Sequence, residues 1–230
     1  MRLLAWLVPA AALAAGAGWW ITAPAAVDAS ALSSIQGDAA RGEAVFLASG
    51  CASCHHAEDA ENETILAGGQ AFPSEFGTFY APNISWDDSA GIGGWSLEDF
   101  AGAVRQGVSP DGQHYYPAFP YVAYARMTDR DLVDLWAYMQ TLPGDDTRSR
   151  AHDVAFPFDI RRGIGLWKAL YADRGWVLDV DPSLERGRYL VEALSHCGEC
   201  HTPRNQFGAL DRSAWMHGAP NPSGSGTIPA

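Results

Sequence analysis

All four cysteines of this chain fall in two copies of one pentapeptide, and no other feature limits its fold so strongly. The copies are Cys51-Ala52-Ser53-Cys54-His55 and Cys197-Gly198-Glu199-Cys200-His201. An even cysteine count in an exported chain ordinarily signals a disulfide framework. The Cys-x-x-Cys-His spacing instead matches the attachment signature of c-type haem. Two thiols one helical turn apart can add to the two vinyl groups on one edge of a porphyrin. The histidine that follows can then put its imidazole on the iron. The expectation is two covalently bound c-type haems (iron). Cys51, Cys54, Cys197 and Cys200 are the attachment points, and His55 and His201 the proximal iron ligands. The alternatives are a zinc site made from two Cys-Cys-His clusters and a thioredoxin-like dithiol.

The surroundings of the motif repeat as well. Asp38 to Phe46 leads into the first copy and Leu184 to Val191 into the second, and each lead-in contains Arg-Gly, at Arg41-Gly42 and Arg186-Gly187. Both read as helices, opened by Asp38 and Ser183. A repeat of this kind marks two copies of one domain. In the first copy a Gly- and Pro-rich wrap runs from Leu66 to Gly94. The sequence Ser96-Leu97-Glu98-Asp99 then opens a helix with a capping box; it runs to about Gln106 and ends at Gly107. After a Pro- and Tyr-rich loop, His114 to Tyr124, a closing helix starts at Thr128. Its apolar residues Leu132, Leu135, Trp136 and Met139 share one face. These elements describe an all-α fold, two small cytochrome c-like domains in tandem behind an N-terminal apolar helix. The expected boundaries are 1–28 for a signal peptide or membrane anchor, 29–142 for the first domain, 143–182 for an inter-domain linker and 183–230 for the second domain. The second copy can be matched only as far as Gly226 to Ala230, set against Gly77 to Ala81, so it is expected to be partial.

Arg2 is followed by an uncharged run from Leu3 to Val27. Leu3 to Ala17 reads as a signal-peptide core and Ala23-Pro24-Ala25 as a cleavage site. The same run reaches the length of a membrane span, with Trp19 and Trp20 where aromatic rings favour the interface. Both readings put the rest of the chain in the periplasm, the second with anchorage to the cytoplasmic membrane. There are 27 acidic and 15 basic residues, a net charge of -12. That balance excludes nucleic acid as a partner, because phosphates need cationic neutralisation. It suits a partner with a basic contact patch, or serves only solubility.

Each iron needs a second axial ligand, and Met is the usual one in electron-transfer cytochromes. Met127, just before the cap of the closing helix, is the candidate for the first haem; its other role would be a hydrophobic staple against Leu132. His114 is the rival, and Met139 reads as core. His56 and His152 carry no ligand signal. For the second haem only Met216 is within reach, next to His217, and it could equally line the wrap.

Residues from about Asp38 onward resemble the diheme and multiheme cytochrome c subunits of bacterial membrane-associated dehydrogenases, of the alcohol and gluconate dehydrogenase type. Three segments carry the resemblance: Thr78 to Ser85 with Gly91 to Ser96, Asp111 to Tyr121, and Cys200 to Asn205. Many members of that family have Met where this chain has Phe119, which points to Met127 as the replacement ligand here. The family's second-haem Met would lie past Ala230. The resemblance implies an electron relay that takes electrons from a dehydrogenase subunit and passes them to quinone, another cytochrome or a terminal oxidase. The competing function is a catalytic haem enzyme, such as a peroxidase or a thiosulfate-oxidising cytochrome. That would need acid–base groups beside an open iron site, and none stands out by spacing.

Overall fold

The computed structural model describes residues 2–57, 61–221 and 224–230. Among these, α1 runs Arg2–Ile21. The first repeat supplies α2 (Ala39–Ser49), α3 (Cys51–His55), α4 (Leu97–Ala101), α5 (Tyr121–Tyr124) and α6 (Asp129–Met139). The segment after it holds α7 (Gly163–Tyr171), and the second repeat holds α8 (Glu185–Tyr189) and α9 (Gly198–His201).

Local chemistry sets the helix ends. The Asp38 carboxylate accepts the Arg41 N–H at 3.1 Å and caps α2, and Gly50 stops it in the left-handed region at φ 64°. Ser96 and Asp99 form the expected capping box on α4. That helix continues as a π turn, Gly102–Gln106, before Gly107 ends it. Thr128 caps α6 by accepting the Asp131 N–H at 3.1 Å.

The core of the first repeat is the crossing of α2 and α6. Gly42 stands at the closest point, where a side chain would collide with the backbone carbonyl of Asp134. Arg41 fixes the crossing from the next position. Its Nε donates to Asp134 Oδ2 at 2.7 Å and its Nη2 to Oδ1 at 3.0 Å; the Asp38 N–H also donates to Oδ1, at 2.8 Å. The Asp134 carboxylate is fully buried, so three donors replace its lost water. Around this clamp Val45 and Phe46 pack with Leu132, Val133, Leu135, Met139, Phe100 and Leu66.

The fold is helix-rich but not purely α. The wrap contains a hairpin, β1 (Ala71–Ser74) and β2 (Gly77–Tyr80), and β2 pairs in turn with β3 (Asp153–Val154). The second repeat has a matching hairpin, β4 (Ala219–Pro220) and β5 (Thr227–Ile228). Strands of two to four residues are too short for alternation to declare them. The start of the second repeat also differs from expectation. Asp181 is the capping residue, accepting the Ser183 N–H at 2.9 Å, while Ser183 lies inside a 3₁₀ turn ahead of α8.

The two repeats share one core. Tyr189, Ala193 and Leu194 belong to the same apolar cluster as Val45 and Phe46. The Tyr189 hydroxyl donates to Asp131 Oδ2 at 2.5 Å and accepts the Thr128 N–H at 3.1 Å. Buried Glu192 accepts the N–H groups of Val177 at 2.7 Å and Leu178 at 2.8 Å, and Arg126 donates to the carbonyls of Gly175 at 2.8 Å and Glu192 at 3.2 Å.

Residues 143–182 are likewise packed on the first repeat. Lys168 of α7 donates to the carbonyls of Gln106 at 2.7 Å and Gly107 at 2.8 Å and to Nδ1 of His114 at 3.0 Å. It lies over the Tyr121 ring at 4.5 Å. Burial brings its ammonium down from 10.5 to about 7. His114 Nε2–H donates to the Thr22 carbonyl at 2.9 Å, and Arg162 Nε donates to the Thr22 hydroxyl at 2.9 Å. The Arg162 guanidinium covers the Trp19 ring at 4.0 Å. Gly165 permits this approach, since a Cβ there would stand 2.8 Å from His114 Nε2. The end of α1 is therefore held by α7 and the first repeat. Among the described residues no helix is long and apolar enough to cross a membrane; the signal peptide or anchor expected over residues 1–28 lies partly outside the described residues.

Two outcomes follow from this packing. Gly42→Ala should destabilise the protein by about 1–3 kcal/mol through overpacking at the α2–α6 crossing, read from chemical denaturation. His114 is held below the ordinary imidazole value of 6.5, first by burial and further by Lys168, Arg162 and Arg161, against the opposing pull of the Thr22 carbonyl. Above that value both folded and unfolded chains carry neutral His114. Below it the unfolded chain takes a proton first, so the stability His114 contributes falls as pH drops from about 6.5 towards its lowered folded value. Hydrogen-exchange protection factors at residues 19–22 and 163–171, corrected for the intrinsic rate at each pH, should fall on acidification below that point, and a His114→Gln variant should lose the dependence.

Candidate functional site

The first pentapeptide is α3 itself. Gly50 ends α2 in the left-handed region and turns the chain directly into Cys51. One helical turn then separates Cys51 from Cys54, with His55 next. None of the four cysteines pairs in a disulfide. Burial pushes the Cys51 thiol up to about 12. A redox dithiol relies on a thiol activated as thiolate, and burial at Cys51 works against that. Zinc chemistry also lacks its ligand set: among the described residues no group of three or more His, Cys, Asp or Glu side chains is arranged to hold a metal ion.

His55 is oriented by a backbone acceptor. A carbonyl can only accept, so Nδ1–H donates to the Pro82 carbonyl, at 2.8 Å across 27 residues of wrap. The Gly68 N–H closes the same loop by donating to the His55 carbonyl at 2.8 Å. The second motif repeats both contacts. His201 Nδ1–H donates to the Pro229 carbonyl at 2.8 Å, and the Gly218 N–H donates to the His201 carbonyl at 2.8 Å. In each copy this tautomer leaves the Nε2 lone pair free, and a ligating histidine is oriented in this way by the partner of its other nitrogen. Burial also lowers the His55 pKa, against the Pro82 bond, which favours the neutral imidazole that binds metal. The contacts correct the register read from sequence: Pro229 corresponds to Pro82, and Gly218 to Gly68.

The other candidates are placed as follows. Met127 is buried, its N–H donates to the Tyr124 carbonyl at 2.9 Å, and its carbonyl accepts from Arg105 at 2.5 Å. It lies in the core cluster with Leu132, and Cys51 and Ala52 pack against the same cluster. Met139 is also buried there. His114 has both ring nitrogens engaged, by Lys168 and Thr22, and is not free to bind iron. His56 bonds the Ala52 carbonyl at 2.8 Å, and His152 accepts the Tyr80 N–H at 3.1 Å. Met216 is half-buried at φ 60°, and its N–H donates to the Thr202 hydroxyl at 3.1 Å. Phe119, where the resemblance expects Met, sits among Tyr115, Tyr121 and Tyr124.

Sequence reasoning missed the seam between the two motifs. The Tyr124 hydroxyl donates to the Ser49 carbonyl at 2.7 Å, two residues before Cys51. Its ring meets that of His196, the residue before Cys197, at 5.4 Å between centroids. The Ser195 hydroxyl donates to the Ala48 carbonyl at 3.0 Å. Partners so far apart in the chain leave no local signal. Trp215 lies against Gly198 inside the second motif, and its Nε1–H is buried without a protein partner among the described residues. These residues fit a thioether-bound haem at each motif: paired thiols, an oriented neutral imidazole and an aromatic surround.

Comparison with known proteins agrees. Residues 39–143 match the Cytochrome c family. The chain is similar to a protein named "Diheme cytochrome c-type" from Cereibacter sphaeroides, with 50% identity over 221 residues, covering 94% of this chain and 75% of that protein. It is 42% identical over 184 residues to the fructose dehydrogenase cytochrome subunit of Gluconobacter japonicus, covering 78% of this chain and 37% of that one. It is 37% identical over 189 residues to the cytochrome c subunit of the quinone alcohol dehydrogenase of Gluconobacter oxydans, covering 77% of this chain and 39% of that one. The chain therefore spans less than half the length of these dehydrogenase subunits. With two motifs of matching geometry and half its residues shared with a diheme relative, the chain belongs to the diheme c-type cytochromes, electron carriers with covalently bound haem.

Proposed function

We propose that the chain is the electron-relay subunit of an exported dehydrogenase complex, with one haem at Cys51 and Cys54 and a second at Cys197 and Cys200. The observation that carries this reading is the Nδ1–H bond from each motif histidine to a proline carbonyl at 2.8 Å. It presents Nε2 of His55 and of His201 as proximal ligands. Bound haem would supply a one-electron centre; the chain's own residues would hold it and orient its ligands.

Met127 is our candidate for the distal position of the first haem, supported by its burial in the core that Cys51 also touches. Met216 has a different setting. It stands two residues before Gly218, whose N–H bonds the carbonyl of His201, as Leu66 stands before Gly68. This favours a wall on the histidine side over a distal ligand.

A dehydrogenase partner is supported by the names of the relatives. A net charge of -12 suits a partner with a basic contact patch. The uncharged run after Arg2 supports export to the periplasm. The bonds that tie Trp19 and Thr22 to Arg162 and His114 support a leader that stays on the chain.

Mass spectrometry of matured protein should give the polypeptide plus two haems, and Cys197→Ser with Cys200→Ser should give one. Met127→Ala should abolish a methionine–iron band from the first haem and lower its potential, whereas Met139→Ala should leave both in place. Fast peroxide turnover by the wild type would favour the catalytic alternative.

A further inference from the structure

The residues before the two motifs occupy equivalent backbone positions with different side chains. Gly50 precedes Cys51 at φ 64° and His196 precedes Cys197 at φ 38°. Left-handed backbone is the province of glycine, and a histidine there carries strain. Among the described residues His196 and Met216 alone, apart from glycines, have positive φ. Strain at a position beside the haem motif invites a functional explanation.

The position of the ring supplies one. The His196 imidazole stands edge-on to the Tyr124 ring, with centroids 5.4 Å apart and planes at 83°. The Tyr124 hydroxyl donates to the Ser49 carbonyl at 2.7 Å, and from Ser49 the chain passes through Gly50 to Cys51. On the other side His196 is bonded directly to Cys197. A parallel tie runs from the Ser195 hydroxyl to the Ala48 carbonyl at 3.0 Å. Tyr124 is buried, and His196 is half-buried in the seam. A covalent segment, a ring contact and one hydrogen bond thus join the first attachment thiol to the second. A glycine at position 196 would relieve the backbone and leave a gap in this path.

We infer that His196 and Tyr124 form the bridge through which the two haem-bearing segments exchange electrons. This rests on the haem assignment above. In the step, one electron leaves the reduced centre and arrives at the oxidised centre; no bond is made or broken and no proton need move. Both residues are positioning residues, since they shorten and fill the path between centres. The chain would then act as one two-centre unit that takes an electron at one haem and delivers it from the other.

The experiment uses the full, matured chain. Each molecule receives a single electron by photoreduction, and transient absorption follows equilibration between the centres. His196→Gly and His196→Asn both remove the imidazole, and Asn tolerates left-handed backbone. Both variants should equilibrate several-fold more slowly than wild type, with haem content and both reduction potentials unchanged. The melting temperature of His196→Gly should stay level or rise as strain is released. Tyr124→Leu should slow equilibration more than Tyr124→Phe, which keeps the ring. Equilibration at the wild-type rate in both His196 variants overturns the bridge. Loss of haem content or of melting temperature in both would assign His196 a purely structural role and overturn it equally. A wild-type protein with fewer than two haems would instead sink the assignment on which the bridge rests, and the mass reports that separately.

Discussion

A single hydrogen bond, made twice, organises this molecule. A motif histidine can present Nε2 in a fixed direction only if something holds its other nitrogen. In both repeats that task falls to a proline carbonyl reached after a long detour, 27 residues in the first and 28 in the second. The wrap must leave the motif, turn and come back. The hairpins β1–β2 and β4–β5 are the means of that return, and the glycines that bond the histidine carbonyls fix where it starts. The α2–α6 crossing then gives the first wrap a rigid surface to lie on.

What could be read from the sequence was whatever its cause kept local. The paired thiols with their histidine need only five consecutive residues. Asp38, the Ser96–Asp99 box and Thr128 cap helices by bonds within three residues, and each does so here. The exception among the caps is instructive. Asp181 took the role expected of Ser183, because an added 3₁₀ turn moved the helix start. Other features depend on partners far along the chain. Asp134 means nothing in sequence until Arg41 is brought to it across 93 residues. Strands of two to four residues show no period, and the register of Pro229 with Pro82 is hidden by a shorter second hairpin. The seam of Tyr124 and His196 belongs to this second group.

The repeats also show one sequence pattern serving two surroundings. Gly42 is needed because α6 presses on it, whereas its counterpart Gly187 has nothing within 4 Å of the Cβ position. Gly50 turns the chain without strain, whereas His196 makes the same turn with a bulky ring. Equivalent positions meet different surroundings, so likeness between the repeats is a guide to backbone path and a poor guide to contacts.

One docking contact has a chemical corollary. Lys168 is the chain's single lysine; the other cationic side chains, histidine aside, are arginines. Its amine is enclosed by two carbonyls, an imidazole and a phenol ring. Acylating or cross-linking reagents aimed at lysine amines therefore have one half-buried target, set in the contact between α7 and the first repeat. With its ammonium brought down to about 7, that amine is largely neutral above that pH, so a modification there would mark the α7 contact itself.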